Sequence, residues 1–177
     1  MKKQKLLALA LALLMLCLLT ACGGGGGEVK GEMVDAGNVK GLLPDGWKFY
    51  PALDIWADDP EATDPNALRF YKGAEDEWDV LSCPAVNVDF YSSDITMLTP
   101  DPSWYQESED IEAFELGGKS WEGFSCKSMG TPMIILWSKD ADGNQYQVSI
   151  VTEMQKGSIK LEDAEVQAII ESLEASK

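Results

Sequence analysis

The stretch that most constrains this chain lies at its start, where residues 6–19 form an unbroken run of fourteen apolar side chains, LLALALALLMLCLL. As a helix the run would be about 21 Å long at 1.5 Å per residue, against a hydrocarbon core of roughly 30 Å. It is too short for a comfortable transmembrane anchor. With Lys2, Lys3 and Lys5 before it, the run reads as the apolar core of an export leader. Five glycines follow at positions 23–27. A polyglycine segment neither holds a helix nor packs, so the fold must begin after it.

Leu19-Thr20-Ala21-Cys22 stands between the apolar run and the glycines. Basic start, apolar run, this tetrapeptide and a glycine spacer occur in that order, and together they resemble the lipobox signal of bacterial lipoproteins. The resemblance implies cleavage between Ala21 and Cys22 and a diacylglycerol thioether on the Cys22 sulfur. It also implies residence on the extracytoplasmic face of a bacterial membrane. Acyl chains contribute about 0.8 kcal/mol per buried CH₂, so two or three of them hold a domain firmly. The expected organisation is a leader at 1–21, a lipidated cysteine and tether at 22–40, and one globular domain at 41–177. A flexible tether of about 18 residues would hold the domain at an r.m.s. distance of about 25 Å from the surface.

The charge balance narrows the partners. The chain carries 14 basic and 30 acidic residues. Loss of Lys2, Lys3 and Lys5 with the leader would leave eleven basic residues against the same thirty acids, a formal charge of −19. Such a body repels phosphate backbones and anionic headgroups, so neither nucleic-acid binding nor a polybasic membrane contact is expected. Histidine is absent altogether. That removes the usual Ser–His and Cys–His nucleophile pairs and the commonest ligand for zinc, copper and iron. No catalytic residue, metal or cofactor is assigned.

Past the glycines the pattern is that of strands. Leu42-Leu43, the turn Pro44-Asp45-Gly46 and Trp47-Lys48-Phe49 read as strand, turn and strand. Residues 54–65 are acidic, contain two prolines and read as an exposed loop. Leu68 to Tyr71 is a short strand, and residues 85–91 alternate with period two. Residues 111–116, the pair Gly117-Gly118 and residues 119–127 make a hairpin signal. Residues 133–137 are a buried strand, Asp140 to Asn144 a turn, and Tyr146, Val148 and Ile150 alternate inward. Val166, Ile169, Ile170 and Leu173 fall on one face of a terminal helix. The expected fold is α+β: a mostly antiparallel sheet of about six strands with a C-terminal helix packed on one face. Leu43-Pro44-Asp45-Gly46-Trp47, the Gly117 to Gly123 hairpin and Ile170-Glu171-Ser172-Leu173 resemble the Mog1/PsbP-like group of α/β/α sandwich domains. That resemblance implies a binding or assembly role and carries over no catalytic residue.

Motifs for chemistry are thin. Gly118-Lys119-Ser120 resembles the end of a phosphate-binding loop, but Ala113 stands where the first glycine is needed. Asp140, Asp142 and Asn144 share spacings with a calcium loop, yet Val151 occupies the place of its bidentate acid. A hairpin turn explains that segment. With Cys17 lost and Cys22 lipidated, Cys83 and Cys126 remain, either as a disulfide or as two buried thiols. Trp47, Trp121 and Trp137 fall on strands and read as core, whereas Trp56, Trp78 and Trp104 fall in acidic or proline-containing loops. If the latter three cluster, they form an aromatic ligand surface. The expected function is that of a non-enzymatic, membrane-anchored monomer that binds an envelope protein. The alternatives are a small-ligand or glycan-binding lipoprotein using the loop tryptophans, and a carboxylate-based enzyme acting on glycans.

Overall fold

Val86, Val88 and Phe90 on one strand, and Tyr146, Val148 and Ile150 on its neighbour, are all buried, so the period-two pattern places both strands mid-sheet. A computed structural model describes residues 29–176. The leader, Ala21, Cys22 and the five glycines lie outside the described residues.

The strands are β1 (Gly31–Asp35), β2 (Val39–Pro44), β3 (Trp47–Phe49), β4 (Ala67–Lys72), β5 (Ala85–Tyr91) and β6 (Gln106–Leu116). They continue with β7 (Lys119–Ser128), β8 (Thr131–Lys139), β9 (Gln145–Val151), β10 (Glu153–Met154), β11 (Gly157–Ser158) and β12 (Glu174–Ala175). One α-helix, α1 (Ala164–Ser172), precedes β12. The main sheet is antiparallel and runs β3-β4-β5-β9-β8-β7-β6, which is seven strands rather than six. The short β3, only three residues long and read as a strand from the sequence, forms one edge of it.

A second sheet, β1-β2-β12, carries the helix side of the molecule. Its first strand begins at Gly31, inside the stretch read as tether, so the globular part starts earlier than residue 41. Sequence alone hides β1 because its side chains are almost all exposed and show no apolar alternation. Its order comes from pairing with β2, whose Val39 is fully buried. Helix α1 buries Val166, Ile169 and Ile170 in the same core as β2, β4, β5, β9 and Trp121. The Ser172 hydroxyl ties the layers together, accepting from the Leu42 amide at 2.7 Å and donating to the Ile169 carbonyl at 2.8 Å.

The Gly117-Gly118 turn closes β6 onto β7 with φ of 61° and 71°. Positive φ at both central positions is the geometry that suits a two-residue hairpin, and glycine adopts it without a Cβ clash. Directly after it Trp121 is fully buried, and its indole N–H donates to the Leu116 carbonyl at 3.1 Å.

The opposite face of the sheet is built differently. Phe124, Cys126 and Ile135 form a small buried cluster against Tyr105, Met133 and Trp137. The connection from β5 to β6 must pass β9, β8 and β7, and it crosses over this face. Met97 on it is buried, and the Gln145 side chain donates to the Ile95 carbonyl at 2.9 Å. An α/β/α sandwich would place helices here. Among the described residues there is one α-helix, and an irregular crossover takes the place of a second helical layer.

Cys83 and Cys126 are both free and buried. Pairing runs from Ala85 through Val151 and Met133 to Cys126, three inter-strand steps of about 4.8 Å, or roughly 14 Å. Cys83 lies two residues from Ala85. A disulfide needs Cα atoms within about 7 Å, so the sheet itself holds the two apart. The buried-thiol alternative is the one observed.

Candidate functional site

The acidic stretch between β3 and β4 is an exposed loop, and its backbone hydrogen bonds brace it into an arm. Asp54 N–H donates to the Ala62 carbonyl at 2.8 Å, Asp64 N–H to Ala52 at 2.9 Å, and Leu53 bridges Thr63. At the tip the Asp54 carboxylate accepts from the Trp56 amide at 2.9 Å, and the Asp59 carboxylate from the Glu61 amide at 3.0 Å. Aspartates thus close the turns by binding backbone two residues on, the property that selects them in turns. At the base, Asn38 N–H donates to the Pro65 carbonyl at 2.9 Å, fixing the arm to the β1–β2 turn. The arm holds Leu53, Ile55 and Trp56 in water at 62%, 79% and 89% exposure.

Trp78 and Trp104 are also exposed, at 78% and 59%. Each sits on a single turn of 3₁₀ helix, residues Glu77–Leu81 and Pro102–Trp104, and each turn is capped by an aspartate. Asp76 accepts from the Trp78 amide at 3.0 Å and Asp101 from the Ser103 amide at 2.8 Å. The strand register shows that the three tryptophans are not one surface. Trp56 extends from the Ala67 end of β4, and Trp78 follows its Lys72 end. Trp104 lies beside Gln106 on β6, at the opposite side of the sheet from β4. The condition for a common aromatic face is therefore not met, and the three form separate projections. Of the three tryptophans read as core, Trp47 and Trp121 are buried and Trp137 is half-buried.

A shallow cleft of about 290 Å³ opens where the crossover passes β7, β8 and β9; it is lined by Met97, Ser120, Glu122, Trp137, Lys139 and Gln145. Other depressions bring together Glu107 and Glu109, Glu153 and Glu162, or Glu171 and Glu174. All of these carboxylates stand exposed to water. General acid–base chemistry needs a desolvated carboxyl, and none of these positions provides one.

One polar group was missed by sequence reasoning. Lys119, next to the glycine turn, is only 7% exposed. Its ammonium donates to the Gly117 carbonyl at 3.2 Å and lies 5.3 Å from the centre of the Tyr146 ring. Burial lowers its pKa, against the pull of Asp140 and Glu174. The Tyr146 hydroxyl donates to Asp140 at 3.0 Å, and burial with that carboxylate raises the phenol pKa. The available signal was the alternation Lys119, Trp121, Gly123, which puts all three on the core face.

Asp140 organises the β8–β9 turn. It accepts from the amides of Asp142 and Asn144 at 3.0 and 2.9 Å, from the Asn144 side chain at 3.0 Å, and from Tyr146. Burial pushes its carboxyl up, but these donors together outweigh burial and hold it below the usual carboxylate range. A depressed native pKa contributes stability above the unfolded value of about 3.9, and that contribution is lost as pH falls through the native pKa. Asp140→Asn is thus expected to cost roughly 1–2 kcal/mol at neutral pH. The gap in Tm between wild type and variant should narrow below about pH 4. A gap that stays constant from pH 7 to about pH 3 would remove Asp140 as the source of this acid sensitivity.

The two thiols are not poised for reaction. Burial, and then the Asp79 carboxylate, raise the Cys83 pKa, and burial alone raises that of Cys126.

No protein family matches this chain. No curated protein matches it either. A crystal structure from Bacteroides thetaiotaomicron overlays it with a TM-score of 0.44 at 13% identity, covering 83% of this chain and 49% of that one. The chain thus spans about half the length of that protein. An overlay this loose gives no argument about function. Among the described residues no helix is long and apolar enough to cross a membrane.

Proposed function

We propose that this chain is a lipid-anchored, extracytoplasmic and non-enzymatic module that binds a protein partner at the bacterial envelope. The observation that carries the reading is the arm tip, where Leu53, Ile55 and Trp56 are held in water by a hydrogen-bonded scaffold. Full burial of three such side chains is worth about 1.5–3 kcal/mol each, and this fold forgoes that gain. A contact surface accounts for that cost, because aromatic anchors supply most of the energy of protein interfaces.

The anchor follows from the Leu19-Thr20-Ala21-Cys22 signal, with a shorter reach than the sequence suggested. Eight residues separate Cys22 from Gly31, which as a flexible tether corresponds to an r.m.s. reach of about 16 Å rather than about 25 Å. Gly31 pairs with Pro44, and Trp47 just beyond pairs with Lys72. The chain therefore enters the fold at the Lys72 end of β4, while the arm leaves from the Ala67 end. That entry point and the arm thus lie at opposite ends of β4.

A photoreactive residue at position 56 of the full chain, activated in intact cells of the native host, tests the partner reading. One adduct of defined mass is expected from position 56. Absence of any adduct from 56, 78 and 104 would count against partner binding.

The small-ligand alternative loses the loop tryptophans Trp56, Trp78 and Trp104 as a shared surface, and the observation left to it is the cleft beside Trp137. It expects a fluorescence change with a sugar or metabolite that Trp137→Phe abolishes, and a flat response across a panel dismisses it. The carboxylate-enzyme alternative has no comparable support, since the acids lining the described clefts are exposed.

A further inference from the structure

We infer that the arm docks a basic, extended protein segment in which apolar side chains alternate with lysine or arginine. This rests on the partner-binding reading and adds the chemistry of the partner. Around Leu53, Ile55 and Trp56 stand Asp54, Asp58, Asp59, Glu61 and Asp64, and no lysine or arginine occurs between Lys48 and Arg69. Among the described residues none of these five carboxylates makes an ion pair, and Arg69 is already held by Asp89 at 2.5 Å. An apolar tip ringed by uncompensated negative charge selects its occupant by charge complementarity.

A second copy of this chain would set five carboxylates against five. An anionic lipid surface would be repelled by the same group, and the arm leaves β4 at the end opposite the chain's entry point. A cationic segment with apolar residues satisfies both features at once. The bracing matters as well, because a tip already fixed by the Asp54 and Asp59 turns loses little freedom on binding.

The test uses the full chain in detergent and two labelled peptides, one alternating Lys and Leu and one alternating Glu and Leu, read by fluorescence anisotropy. The Lys–Leu peptide should bind and weaken with salt, and the Glu–Leu peptide should not bind. Trp56→Ala, and separately Asp58→Asn/Asp59→Asn/Glu61→Gln, should each weaken binding about tenfold. Trp78→Ala, and the charge-matched Asp110→Asn/Glu112→Gln/Glu115→Gln on β6, should change it less than about twofold. Equal loss from the arm and β6 neutralisations would show attraction to net charge alone and overturn the inference. So would an unchanged affinity in Trp56→Ala, or equal binding of the two peptides. The crosslink at position 56 separates this failure from the broader one. A trapped segment that is acidic or neutral overturns only the basic partner, whereas no adduct at 56, 78 or 104 overturns both readings.

Discussion

Trp121→Ala is expected to remove about 3–5 kcal/mol of stability and to lower Tm by roughly 10 °C. Trp121 has no solvent exposure, stands on β7 opposite Phe114 and Ser138, and joins the core shared by the sheet, β2 and α1. Truncation leaves a cavity beneath the helix and frees the Leu116 carbonyl from its indole donor. Trp121→Phe keeps most of the volume and loses the donor, so about 1–2 kcal/mol is expected from it. Trp104→Ala, at an exposed turn, should stay within about 0.5 kcal/mol. Thermal or denaturant unfolding of the three variants checks the order. If Trp121→Ala behaves like Trp104→Ala, the core described around β7 is wrong.

Cys22→Ala is expected to move the protein from the membrane fraction to the soluble or secreted fraction, a change of about 100-fold or more in partition. A single acyl chain binds membranes only marginally, while two or more hold firmly, so on the proposed reading the substitution removes the decisive contribution. The folded domain would offer no compensation, since without Lys2, Lys3 and Lys5 its formal charge would be −19, which repels anionic headgroups. Fractionation of the native host, with mass spectrometry of the mature terminus, gives the answer. An unmodified Cys22 sulfur in the wild type, or unchanged membrane association among variant molecules that have lost residues 1–21, would end the lipoprotein proposal. Because position 22 lies outside the described residues, unfolding temperatures of the two proteins should agree, which separates this effect from misfolding.

The strands were legible wherever one face is apolar and the other polar. Residues 85–91 and Tyr146, Val148 and Ile150 occupy the positions their alternation implies, and α1 buries Val166, Ile169 and Ile170. The glycine turn at 117–118 was legible for a local reason, since its two positive φ angles need residues without a Cβ. Strand β1 and the first residues of β6 were not legible, because their side chains face water and only a neighbour's backbone holds them. The arm was read as a loop because two prolines and five acids look like solvent-facing chain. What makes it an arm is pairing between Ala52–Asp54 and Ala62–Asp64, contacts that propensity does not report.

Sequence by itself determined the lipobox-like signal, the charge, the absence of histidine and the faces of the long strands. These are composition, or patterns that repeat within a few residues. Only the tertiary structure decided that Cys83 and Cys126 stay apart, that Trp56, Trp78 and Trp104 occupy separate projections, and that Lys119 lies beneath the hairpin against Tyr146. The first and last depend on the neighbours in the order β5-β9-β8-β7, and the tryptophans on the two ends of β4 and on β6 at the far edge; that order is set by long-range packing no local window contains.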